Sequence, residues 1–120
     1  MKIIITRGGN YIDDEFVVEG VYEADKYLVL EHKRLTDLYL ELGRETRAVE
    51  AALRTARVTL DAVKYPKKRE SWLKRLHKLE QEHKELRAKR GRTNRDRDEV
   101  ERKIYETSTK LDIEEVNFGW

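Results

Sequence analysis

From about His32 onward apolar residues recur in strict sevens. Leu35, Leu42, Val49, Ala56 and Val63 make one series, and Tyr39, Thr46, Leu53 and Leu60 make the series four residues on. Two interleaved series of this kind draw one stripe along an α-helix and form the seam of a coiled-coil pair. The pattern predicts a long helix over 32–63, its stripe widened by Leu38, Ala48, Ala51 and Ala52. About 28 residues of it reach ~42 Å at 1.5 Å per residue. Lys64-Tyr65-Pro66 ends it, because proline has no amide to donate and fits best at the first position of a new helix. A second helix is expected over 66–90, with Trp72, Leu79 and Leu86 in one series and Leu76, His83 and Arg90 in the other, closed by Gly91 as a left-handed cap.

So short a connection makes the two helices antiparallel. Positions whose numbers sum to about 129 then share a layer, by helical rise alone. Leu53 is set against Leu76, Thr46 against His83 and Tyr39 against Arg90, with the small Ala56 near the bulky Trp72 and Leu73. Arg92-Thr93-Asn94 reads as a second break, and Asn94 or Asp96, with Glu99 at capping-box spacing from Asp96, would start a third, shorter helix over 94–111 carrying Val100, Ile104 and Leu111.

The ends of the chain follow the period of a strand. Lys2–Thr6, rich in isoleucine, is expected to pair with Phe16–Tyr22 after a turn at Gly8-Gly9-Asn10, with Gly20 marking a bulge or a close approach. Tyr27–Leu30 is read as a third strand after a Glu23–Lys26 turn, so that 1–31 is β-rich. Alternation of Val116, Phe118 and Trp120 gives a last strand over 112–120. The expected fold is α+β in one domain, 1–120: a small N-terminal antiparallel sheet, a long helical hairpin, a shorter third helix and a C-terminal strand.

Composition sharpens this picture. Only 38% of the 120 residues are apolar and 42% are charged, against about 45–50% and about 25% in an ordinary soluble domain. A large core is excluded, and a two-helix seam buries little by itself, so homodimerisation or docking on a partner is expected. The absence of cysteine removes disulfides, thiolate metal sites and cysteine nucleophiles. Three consecutive isoleucines near the N-terminus fall short of the ~7–15 apolar residues of a secretory h-region or the ~20 of a membrane span, so a cytoplasmic protein without membrane contact is expected.

Charge is unevenly spread. Residues 1–63 hold 9 Lys and Arg against 12 Asp and Glu, residues 64–103 hold 16 against 8, and residues 104–120 hold 1 against 4. Within the basic block, Lys89, Arg90, Arg92, Asn94, Arg95 and Arg97 surround the expected helix break, where free amides and the helix dipole also favour an anion. Lys67, Lys68 and Arg69 stand at the start of the second helix, where cations oppose the dipole unless an anionic partner offsets it. The two clusters lie ~35 Å apart along that helix, too far to clasp one small ligand. With Lys74, Arg75, Lys78, Lys84 and Arg87 they could follow a nucleic-acid backbone or an acidic protein face. Only Tyr65 and Trp72 interleave as aromatics, which disfavours single strands.

Signals for catalysis are weak. His83 interrupts the seam and reads first as a register-setting polar residue bonded to Thr46. Glu80-x-x-His83 has di-metal spacing, with Glu41, Glu45 or Glu50 as further donors, but such a site needs two of these motifs. His77 and His83, six apart, diverge by about 120°. His32 stands alone, and the Asp13-Asp14-Glu15 and Glu114-Glu115 clusters lack the apolar setting an acid catalyst needs.

The expectation is a non-catalytic binding protein with no cofactor and no metal, its charged hairpin engaging another macromolecule, a protein first, as an adaptor or inhibitor does. The alternative is binding of nucleic acid or a phosphorylated ligand such as a nucleotide through 89–97. In size and build, though in no motif, the chain resembles the small proteins with which bacteriophages block host defence or nuclease machinery, which implies an inhibitor's role.

Overall fold

A computed structural model describes residues 1–6 and 20–112. Its elements in chain order are β1 (Lys2–Ile5), β2 (Gly20–Glu23), α1 (Lys26–Ala62), α2 (Pro66–Thr107) and β3 (Thr109–Leu111). The chain divides into two compact units, Met1–Asp37 with Asn94–Trp120, and Leu38–Thr93.

In the first unit the three strands form an antiparallel sheet in the order β1-β2-β3, with Ile3 opposite Tyr22 and Tyr22 opposite Lys110. Alternation along β1 turns Ile3 and Ile5 inward and leaves Ile4 exposed. Ile3, Ile5 and Tyr22 pack with Ala24, with Leu35 of α1 and with Val100 and Ile104 of α2, and Leu28 and Val29 lie against this cluster. Burial pushes the Tyr22 phenol above its ordinary range, and Tyr105 adds to the shift. Gly20 has φ +152°, and the Lys110 side chain passes 2.7 Å from where a Cβ would stand, the close approach expected there.

The second unit is the hairpin, the last part of α1 and the first part of α2. Leu53, Ala56, Leu60 and Leu76 are buried together, with Val49, Trp72 and Leu79 packed against them. Ala56 is buried in the cluster against which Trp72 packs, whereas Leu73, also expected near Ala56, is exposed. The Arg90 guanidinium lies 4.2 Å from the centroid of the Tyr39 ring, as the layer rule expects. It crosses α1 at Gly43, where its Nη2 would stand 2.8 Å from an added Cβ.

Several expectations change. Tyr27–Leu30 is helix, not strand, because Asp25 acts as N-cap: its Oδ1 accepts from the Tyr27 amide at 2.8 Å and its carbonyl accepts from Val29. There is no separate third helix at 94–111. α2 runs through Gly91, and the residues read as a break are absorbed within it. The Thr93 hydroxyl donates to the Lys89 carbonyl at 2.9 Å, and the Asn94 side chain accepts from Arg97 at 3.3 Å, so neither side chain caps a new helix. Thr109–Leu111, expected to end the third helix, is strand instead. The Gly8–Asn10 turn, Phe16–Glu19 of the second expected strand, Asp13-Asp14-Glu15, and 113–120 with Glu114-Glu115, Val116, Phe118 and Trp120 lie outside the described residues.

An uninterrupted α2 makes a prediction at Gly91, where an added Cβ meets nothing within 4 Å. Gly91→Ala should stabilise the protein by about 1 kcal/mol in chemical denaturation, the helix-interior difference between the two residues. A left-handed cap at Gly91 would make the same substitution destabilising.

Candidate interaction surface

The hairpin turn concentrates charge of one sign. Residues 54–78 carry nine Lys and Arg against two Asp and Glu, and all eleven are exposed. The seam requires only the small and apolar side chains between the helices, so every charge in this stretch is left facing water. The remainder of the hairpin unit, 38–53 and 79–93, is close to balanced, with seven Lys and Arg against six Asp and Glu.

Helix ends add to the positive field. No acidic residue stands in the first turn of α2. Among the described residues no side chain accepts from its first-turn amides, whereas α1 has the Asp25 cap. Tyr65 supplies only its carbonyl, which accepts from the Arg69 amide at 2.9 Å. Lys67 and Lys68 therefore stand at the positive end of an uncapped helix dipole. Arg69 is used internally, since its Nη1 donates at 3.2 Å to the carbonyl of Leu60 at the end of α1, which also accepts from the Val63 amide at 3.3 Å. Lys68 approaches the ring of Tyr65 at 5.7 Å, and Arg75 that of Trp72 at 5.2 Å.

The 89–97 segment is arranged differently from the sequence expectation. Because α2 is continuous there, it presents no helix end and no free amides to an anion. Arg90 is stacked on Tyr39, Arg97 is 7% exposed, and Asn94 is half-buried beside it. Lys89, Arg92 and Arg95 are exposed. These three, unlike the turn residues, are interspersed with side chains already used inside their units.

Two of the three histidines, His83 and His32, are tied to carboxylates. His83 is paired not with Thr46 but with Glu50, its Nε2–H donating to Oε1 at 3.1 Å, while the Thr46 hydroxyl donates to the carbonyl of Leu42. One histidine and one carboxylate come together. No group of three His, Cys, Asp or Glu that could hold a metal ion is present among the described residues. In the first unit His32, solitary along the sequence, donates through Nε2 at 2.9 Å to Glu101, which is only 1% exposed. The signal that could have found this pair is the placement of Glu101 between Arg97 and Ile104 on one face of α2, four and three residues away.

No protein-family model matches the chain, and comparison with curated proteins and with solved structures gave no match.

Two outcomes follow from these geometries. The hydrogen bond from His83 holds the Glu50 carboxyl below its ordinary value of 4.5; burial opposes it, and the charges of His83, Arg54 and Arg87 add smaller lowering effects. A depressed folded-state pKa stabilises above the unfolded value and loses that contribution as pH falls through the folded one. The thermal midpoint of the native chain should exceed that of Glu50→Gln at neutral pH, and the gap should close as pH falls below 4.5; a gap independent of pH would contradict the pairing. At the turn, Lys67→Glu should raise stability by about 0.5 kcal/mol in thermal melts, because it replaces an unfavourable charge with a favourable one at the helix start.

Proposed function

We propose that the chain is a non-catalytic binding protein that engages another macromolecule through the turn end of its helical hairpin. The observation that carries this reading is the exposed excess of cations over 54–78, of which only Lys74 makes a salt bridge among the described residues. Lys67 and Lys68 oppose the α2 dipole, and a surface optimised for stability alone would carry acids there. Such a sacrifice of stability is the usual mark of a surface set aside for binding. Two paired helices held by a buried seam offer a firm support for it.

Two further facts support a binding role over a chemical one. His32 and His83 are each engaged by a glutamate, and an exposed, water-filled cation field offers no desolvated group for acid–base work. The 89–97 segment takes second place, since Arg90 and Arg97 are drawn into internal contacts.

The test compares two variants with the same change in net charge. Lys67→Glu with Lys68→Glu alters the turn, and Arg92→Glu with Arg95→Glu alters the other segment. On an immobilised sulfated polysaccharide the turn variant should elute at markedly lower salt than the native chain, and the second variant close to it. Equal losses would mean that net charge alone governs retention and that the turn is no special surface.

A further inference from the structure

The polyanion that fits this surface can be specified from what accompanies the cations. We propose that the hairpin turn binds the phosphate backbone of a nucleic-acid duplex without regard to sequence, an assignment that rests on the turn being the interaction surface.

Three observations separate a duplex from other partners. Within 54–78 the exposed large apolar residues are Val58, Tyr65 and Leu73. They are scattered among nine cations, five of them lysine. Interfaces between proteins are depleted in lysine and centre on buried aromatic or aliphatic anchors, whereas nucleic-acid interfaces are far more positive and more polar. A single strand is held by bases stacked on open aromatic rings. Here Trp72 is packed against the hairpin core with Arg75 over its ring, and Lys68 stands over the ring of Tyr65. That leaves Tyr65 as the one exposed aromatic ring in 54–78, a single platform where a strand is held by a succession of them.

The third observation is spacing. Lys67, Lys74 and Lys78 stand seven and four residues apart on α2, within about 20° of one line along the helix. All three are exposed, and the one salt bridge they make among the described residues is Lys74 to Glu70, at 3.8 Å. From first to last the row covers about 16 Å, enough to reach phosphates on both sides of a major groove about 12 Å wide. Lys68 and Arg75, also seven apart, form a second row beside it. Lysines with three freely rotating donors suit point-charge contact with phosphate and carry no base-reading geometry.

Fluorescence anisotropy with a labelled duplex of about 20 base pairs, over a series of salt concentrations, tests the assignment. Contact by the five residues of the two rows gives a slope of log affinity against log salt of about −4.5, and the affinity should not depend on sequence. The triple variant Lys67→Ala, Lys74→Ala, Lys78→Ala should bind at least about tenfold more weakly and flatten the slope by about 3. Lys84→Ala, Arg87→Ala, Arg92→Ala, with the same loss of charge, should change affinity less than about threefold. The proposal is overturned if the native chain leaves the duplex unbound at about 50 mM salt, if the two triple variants lose equally, or if a single strand of the same length binds more tightly. Absence of duplex binding together with turn-dependent retention on the sulfated polysaccharide refutes the nucleic-acid assignment alone. Loss of the turn dependence there refutes the underlying reading as well.

Discussion

A seam about one side chain wide holds α1 against α2 between Leu38 and Thr93, and the arrangement of every charge in the hairpin depends on it. Leu53, Ala56, Leu60 and Leu76 are its buried members. With so few apolar residues the chain cannot wrap a broad core around these helices, so most of each helical circumference faces water. Small residues stand at the contact, Ala56 within the buried cluster and Gly43 beneath Arg90. A narrow seam constrains few positions and leaves the others open to whatever the surface is for.

Two half-buried histidines are handled in the same way. His83 meets Glu50 in the hairpin unit, and His32 meets Glu101 in the sheet unit. In each case a titratable ring that would be costly to desolvate alone is given a carboxylate partner. Glu101, nearly inaccessible to solvent, is the more demanding of the two, because a buried carboxylate is tolerated only where hydrogen bonds replace its lost hydration. Cations at the hairpin turn receive different treatment. Arg69 satisfies a carbonyl at the end of α1, while Lys67 and Lys68 receive no carboxylate from the chain among the described residues.

Much of the helical architecture is legible in the sequence, because heptad spacing and a single proline are strong local signals. The hairpin turn at Lys64–Pro66, the Tyr39–Arg90 layer and the shared cluster of Leu53 and Leu76 follow from counting alone. Sequence and structure part where one residue type serves two purposes. Gly91, Thr93 and Asn94 have the composition of a helix break, yet Thr93 bonds back to Lys89 and Asn94 forward to Arg97 within α2, and a single interior glycine costs too little to end the helix. Asp25 has the character of a turn residue before a strand, whereas it caps the helix that begins one residue later. The His32–Glu101 pair joins residues 69 apart, and its one local sign is the place of Glu101 on the face of α2 that carries Ile104. For the surface, the basic block is visible as a count of charges. Which of its clusters remains open is not, because that depends on Arg90 and Arg97 finding partners only in the folded chain.

Amide chemical-shift mapping tests the central claim most directly, by titrating the isotope-labelled chain with a short duplex at low salt. The largest changes should fall on Lys64–Lys78 and on the neighbouring Arg54 and Arg57, with 89–97 little affected. Changes centred on 89–97, or spread over no contiguous surface, would contradict the view that the hairpin turn is where this protein meets its partner.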